Sequence, residues 1–268
     1  MRSRTRSPSL VLHSAVATRR GARWTALLAG VATLIAVAPP SGAQIQQGRG
    51  FLFRPPFGSF GVRAGFAQAT AKSEIFSFVT DELTLGRGDF ASASVDADLA
   101  IRVLPRLDVV LGASYSGRNA QSEFRRFVDN NDLPIEQTTN LTRVPITLSG
   151  KLYLLSRGRS IGRFAWVPTT WAPFIGAGGG AMWYQFKQEG DFINMETLDV
   201  FMDAYESKGW AATAHGLAGL DISLGPRFGL TGEGRYTWGK APMSRDFQGF
   251  DKIDLSGYNA SVGIYVRF

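Results

Sequence analysis

The chain has 268 residues, with 29 Lys and Arg against 22 Asp and Glu, and no cysteine. Its basic excess is concentrated at the start: Arg2, Arg4, Arg6, Arg19, Arg20 and Arg23 fall in residues 1–43, which hold no acidic residue, so the remainder carries 23 basic against 22 acidic groups. A nearly neutral remainder argues against a nucleic-acid partner, and the lack of cysteine excludes disulfide staples and thiolate metal sites.

Residues 1–43 combine that basic start with an apolar run, Trp24–Ala38, and a small-residue close, Pro39-Pro40-Ser41-Gly42-Ala43. The pattern predicts a secretory signal peptide cleaved before Gln44. About fifteen apolar residues fall short of the roughly twenty that span a bilayer, which disfavours an anchoring helix. The apolar pair expected after a twin-arginine motif is missing after Arg19-Arg20, so general secretory export is expected. The expected organisation is a signal peptide (1–43), a short periplasmic lead-in (44–56) and one β-barrel domain (57–268).

The remaining chain reads as eight strands in four hairpins. The first, about 58–70, turns Phe60, Val62, Ala64 and Phe66 one way and Arg63 the other. After a long polar loop, about 71–88, the second strand (about 89–104) alternates Ala93, Val95, Ala97, Leu99, Ile101 and Val103 with Ser92, Ser94, Asp96, Asp98 and Arg102. That two-residue period is the signature of a strand with one apolar and one polar face. Pro105-Arg106 turns into the third strand, about 107–124, with Leu107, Val109, Leu111, Ala113 and Tyr115 on one face and Asp108 on the other. Asn130-Asn131-Asp132 marks the next loop. The fourth strand, about 135–155, alternates Ile146, Leu148, Leu152 and Leu154 with Thr147, Ser149, Lys151 and Tyr153.

An Arg- and Gly-rich connection, Ser156–Pro168, leads to the fifth strand, about 170–187, whose Gly176, Gly178, Gly179 and Gly180 permit sharp curvature and close packing. The loop from about 188 to 208 is read as the longest, with Leu198, Phe201, Met202 and Tyr205 at the spacing of a short amphipathic helix. Its Glu189, Asp191, Glu196, Asp199, Asp203 and Glu206 lack EF-hand spacing and are expected to form a solvated acidic face rather than a metal site. The sixth strand, about 209–224, turns at Gly225-Pro226 into the seventh, about 227–239. A loop over about 240–253 precedes the last strand, Asp254–Phe268. There Tyr258, Ala260, Val262, Ile264, Val266 and Phe268 share one face, and Asn259, Ser261, Gly263, Tyr265 and Arg267 the other.

Short turns alternate with long loops, and Leu104-Pro105-Arg106-Leu107 nearly repeats in Leu224-Gly225-Pro226-Arg227-Phe228. Apolar-out, polar-in strands with short turns at one end describe a transmembrane β-barrel. Trp166, Trp171, Trp183, Tyr184, Trp210, Tyr236 and Trp238 are expected in aromatic girdles at the two membrane interfaces. A soluble β-sandwich is the alternative fold.

The face turned from lipid holds Arg63, Asp96, Asp98, Arg102, Asp108, Lys151, His215, Asp221, Glu233 and Arg235. Buried charges need partners, and both signs are present almost equally. A filled, self-neutralising lumen is therefore expected over a selective channel. His215 is the one histidine beyond the leader and has no nucleophile beside it in sequence, so no catalytic residue, metal ligand or cofactor is assigned. A lipid-modifying enzyme using His215 is the alternative activity.

A terminal Phe with apolar residues two, four and six before it resembles the recognition strand of bacterial outer-membrane barrels. With the four hairpins and apolar-glycine repeats such as Phe174-Ile175-Gly176-Ala177-Gly178, the chain resembles small outer-membrane β-barrels of the OmpW and OmpA-barrel type. The resemblance implies an eight-stranded antiparallel up-and-down barrel in the outer membrane. It also implies a monomer in contact with lipid and lipopolysaccharide, assembled through Tyr258, Ile264, Val266 and Phe268 by the barrel-assembly machinery. The implied role is structural, or passage of small solutes.

Overall fold

Alternating side chains commit most of the chain to strands, and antiparallel neighbours follow one another because each strand is joined to the next by a short connection. The computed structural model describes residues 50–129, 132–194, 197 and 199–268. The signal-peptide and cleavage expectations lie outside the described residues, as do Asn130, Asn131, Glu196 and Leu198.

In chain order the elements are β1 (Gly58–Ala69), helix α1 (Glu74–Glu82), β2 (Ala91–Leu104), β3 (Leu107–Val128), β4 (Pro134–Tyr153), β5 (Gly158–Ile161), β6 (Ala165–Pro168), β7 (Trp171–Ile193), β8 (Val200–Ser223), β9 (Phe228–Ala241), β10 (Ile253–Asp254) and β11 (Gly257–Arg267). Eight strands form one ring, β1-β2-β3-β4-β7-β8-β9-β11, closed by pairing of β11 with β1 from Ser59↔Arg267 to Ala69↔Gly257. The fold is thus a closed eight-stranded up-and-down barrel.

One row of paired residues runs Gly58, Ile101, Val109, Gly150, Ala177, Gly216, Tyr236 and Tyr258, and re-enters β1 at Gln68, ten residues above its start. A stagger of that size over eight strands tilts them by ~40° to the axis and leaves room inside for side chains alone or one small ligand.

The strands are of two lengths. β1, β2, β9 and β11 have 12, 14, 14 and 11 residues, close to what a tilted strand needs to cross a bilayer. β3, β4, β7 and β8 have 22, 20, 23 and 24, so a four-stranded wall continues past one end of the ring. The extension corrects two expectations. The segment read as the longest loop is mostly strand, with β7 and β8 paired up to Ile193↔Val200. Its expected helix is absent where described: Phe201, Met202 and Tyr205 belong to β8. Phe201 and Tyr205 are four apart, which places them on one face of a strand as well as of a helix, and cross-strand contact with Phe192 at 6.2 and 4.8 Å selects the strand.

The helix lies instead in the 70–90 connection. Ile75, Phe76 and Val79 recur at helical spacing, and all three are buried where α1 lies across the mouth of the ring.

Candidate functional site: a filled lumen

The interior is built by the strand period. Positions facing in carry the polar residues of the lower strands: Arg63, Asp96, Asp108, Lys151, His215, Asp221 and Glu233 are buried, Asp98 and Arg235 are nearly so, and Arg102 is half-buried. At mid-height Arg63 (β1) pairs with Asp98 (β2) and lies 3.7 Å from Glu233 (β9). Glu233 in turn accepts from Arg235 at 2.8 and 3.1 Å, and Arg235 reaches Thr147 (β4) at 3.3 Å. Asp96 accepts from Asn259 at 3.4 Å. Alternating charge thereby ties β1, β2 and β9 together, and hydrogen bonds at Thr147 and Asn259 add β4 and β11.

A second group crosses the lumen. Lys151 (β4) meets Asp221 (β8) at 3.3 Å, with its ammonium 3.6 Å from the Phe174 ring centre, and Tyr153 donates to Asp221 at 2.7 Å. His215 (β8) and Ser149 (β4) meet at 2.7 Å. β4 and β8 are not neighbours, because β7 runs between them, and these contacts span it because β7 presents glycines inward. A Cβ on Gly178 would lie 2.9 Å from His215 Cε1, and one on Gly176 would lie 2.9 Å from Leu217 Cδ1. The glycine run is therefore a floor over which the two flanking strands interlock. Nδ1 of His215 has no partner among the described residues, so no carboxylate orients the ring as a catalytic base requires.

The end holding the short turns is stoppered. β5 and β6 form a small hairpin in the connection between β4 and β7, and Leu52 clamps it through paired backbone hydrogen bonds of 2.9 and 2.7 Å with Trp166. Trp166 was expected in a membrane girdle but is buried, 5.8 Å from the Arg267 guanidinium. It belongs to the hairpin and not to the ring, so the ring's outward period does not apply to it. Around it Arg157 pairs with Asp108 at 2.6 Å, Arg267 donates to Ser223 at 2.7 Å and Arg102 donates to the Pro105 carbonyl at 3.3 Å.

The opposite end is sealed by apolar packing. Phe76 of α1 meets Phe90 at 4.9 Å and Phe186 at 5.7 Å, and Phe186 meets Phe247 at 5.5 Å. Leu141, Ala120, Ile253 and Leu255 complete this core. Tyr184, the second misplaced girdle residue, is buried inside it and donates to the Pro242 carbonyl at 2.7 Å. Neighbours on a strand face opposite ways, so Trp183 and Tyr184 cannot share the outer face. Trp171, Trp210 and Trp238 project outward and are more than half exposed. Trp183 pairs with Trp210 across β7 and β8, and Tyr236 meets Trp238 edge-to-face at 4.7 Å and Tyr258 at 4.5 Å.

Between the seals lie two small cavities. One of about 20 Å³ adjoins Arg102, Tyr153, Arg157, Trp166 and Arg267. Another of about 40 Å³ adjoins Ser114, Ser116, Arg143, Arg235 and Asn259. A single water needs roughly 10–15 Å³, so each holds one to a few small guests.

Sequence reasoning missed two interior arginines. Arg143 shares the odd-numbered register of Thr147, Ser149 and Lys151, so extending the β4 period upward would have found it. Arg157 lies in an aperiodic connection and carried no such signal. Of the acidic residues in 189–206, Glu189, Asp191, Asp199, Asp203 and Glu206 are described and lie on or beside the strand extension. Glu189 pairs with Lys187, and Glu206 accepts from Gln185 and Lys208, which hold its carboxyl below the usual range. No cluster of metal-ligating residues occurs among the described residues.

No family model and no curated relative matches the chain. Solved structures do. Neisserial surface protein A is 12% identical, with 79% of this chain aligned to 97% of that one at a TM-score of 0.43. The outer membrane protein OprG from Pseudomonas aeruginosa is 14% identical, with 81% of this chain aligned to 99% of that one, also at 0.43.

Proposed function

We propose that this protein is an outer-membrane barrel whose role is structural: a closed-lumen post that carries a folded cap and a tall strand wall at the cell surface, and not a standing pore. The observation that carries this reading is the outer wall. Phe60, Phe66, Val95, Leu99, Leu111, Ile146, Leu148, Val262 and Ile264 are exposed on it as one band, while the charged groups point inward. An apolar band of this extent is stable only against lipid or another apolar surface. Paired charges inside, the Trp166 hairpin at one end and the α1 cap at the other support the closed-lumen reading.

Outward Trp171 at one margin, with Trp183, Trp210 and Trp238 at the other, supports two aromatic girdles. Export through the leader with cleavage before Gln44, contact with lipid and lipopolysaccharide, and assembly through Tyr258, Ile264, Val266 and Phe268 belong to the same reading. The test is to refold residues 44–268 in detergent, compare electrophoretic mobility before and after boiling, and reconstitute the protein for liposome swelling and bilayer conductance. A heat-sensitive compact form without conductance is expected. Steady conductance by the unmodified protein would overturn the closed-lumen reading, and absence of the compact form would overturn the barrel in lipid.

A further inference from the structure

Arg143 is buried, and among the described residues no carboxylate lies within ion-pair distance of it. Its one hydrogen bond is a long one, 3.4 Å, to the Leu255 carbonyl. Asp254 attracts Arg143 only from beyond ion-pair distance and is bonded elsewhere: it accepts from Thr70 at 2.6 Å, from the Ser256 amide at 3.1 Å and from the Lys72 amide at 3.4 Å. Arg63, Lys151, Arg157 and Arg235 each have a carboxylate, Arg267 has a short contact with Ser223, and Arg102, which bonds the Pro105 carbonyl, is only half-buried. A buried guanidinium without a counter-charge is costly enough that native structures supply one.

The space beside Arg143 is prepared for such a charge. The cavity of about 40 Å³ is bordered by Arg143 and Arg235 and by Ser114, Ser116, Thr237 and Asn259. Arg235 is spoken for by Glu233 and Thr147, and Asn259 by Ser94 and Asp96. The hydroxyls of Ser114, Ser116 and Thr237 have no protein partner among the described residues and can turn their protons toward the space. The wall also opens here. Pro145 has no N–H to give, and Ser114 and Tyr115 lack paired partners on β4, although the register on either side, Ala113↔Ile146 and Ser116↔Arg143, is the same. No acidic side chain borders the cavity.

The geometry points to a bound monovalent inorganic anion of halide size, held by Arg143 and the surrounding hydroxyls as a fixed counter-ion of the upper lumen. A divalent oxyanion would exceed the single positive charge that Arg143 has free and would leave a net negative charge in the lumen. The site goes beyond the structural role proposed above and does not depend on the membrane location.

The test uses the refolded chain in detergent at constant ionic strength, with chloride, bromide or sulfate against gluconate. The unfolding temperature is expected to rise with chloride and bromide only, by about 4 °C per tenfold increase above the dissociation constant. Crystals grown in bromide are expected to show an anomalous peak in contact with the Arg143 guanidinium. Arg143→Met should abolish the halide dependence. Should that variant fail to fold, Ser114→Leu, which fills the cavity, should abolish it as well. Waters alone in the bromide crystals, or a halide dependence unchanged in Arg143→Met or Ser114→Leu, overturns the proposal.

Discussion

The lower and upper parts of the same strands differ chiefly on their outer faces, apolar below and polar above, while the upper inner face mixes apolar side chains with buried Gln137, Thr139 and Arg143. On lower β4, Ile146, Leu148 and Leu152 are exposed outward, and Thr147, Ser149 and Lys151 are buried inward. Higher on β4, Ile135 and Leu141 are buried inward, whereas Glu136 is exposed. β7 does the same: Ile175 faces out below, and above it Phe186 faces in while Gln185 and Lys187 lie on the outer side. The strand period never breaks, so backbone geometry is common to both regions and only the solvent differs. On the reading proposed above, the lower ring meets lipid outside and makes hydrogen bonds within, whereas the upper wall turns polar residues outward as a water-exposed surface does.

The comparison is tested most severely in the lower lumen. Arg63→Ala leaves Asp98 buried without its cation and Glu233 with Arg235 alone, and a loss of about 4 kcal/mol in urea-dependent unfolding from detergent is expected. Retention of full stability would mean that the lumen is more hydrated than its packing implies. Phe76→Ala removes the centre of the apolar cap, at an expected cost of about 3 kcal/mol. Because α1 is a connection and not part of the ring, this loss should appear as faster proteolysis within 71–90, with the compact unboiled form retained. Simultaneous loss of the barrel would show that cap and ring are one cooperative unit.

The boundary between the two regions is sharpened by placing one charge on either side of it. Leu148→Arg should cost about 2–3 kcal/mol in lipid, whereas Gln185→Arg, on the outer side of the extended wall, should cost little. Equal costs would remove the difference between the outer faces. The smallest effect is expected at the rim, where Lys187→Ala breaks a solvent-accessible pair with Glu189 and should change stability by less than about 0.5 kcal/mol.

Much of this molecule was legible because one period controls it. β2 was read within two residues of its start, and the inward placement of Arg63, Asp96 and Asp221 follows from counting by twos. The same counting would have placed Tyr184 inside and found Arg143. Trp166 and α1 could not be placed by that rule, since neither belongs to the ring. The helix was overlooked although Ile75, Phe76, Val79 and Leu83 carry its spacing, because the polar residues around them resemble those of a loop.

The sequence alone determined the face to which each ring residue points, since side-chain alternation is a local property of an extended backbone. It also set the number of ring strands, through the turns that separate them. Only the tertiary structure decided which charges meet, because Lys151 and Asp221, or Ser149 and His215, are brought together across β7 by the ten-residue stagger of the closed ring and by the glycines beneath them. It decided equally that both ends are sealed, for a plug is defined by the opening it fills, and that opening exists only once the last strand has paired with the first.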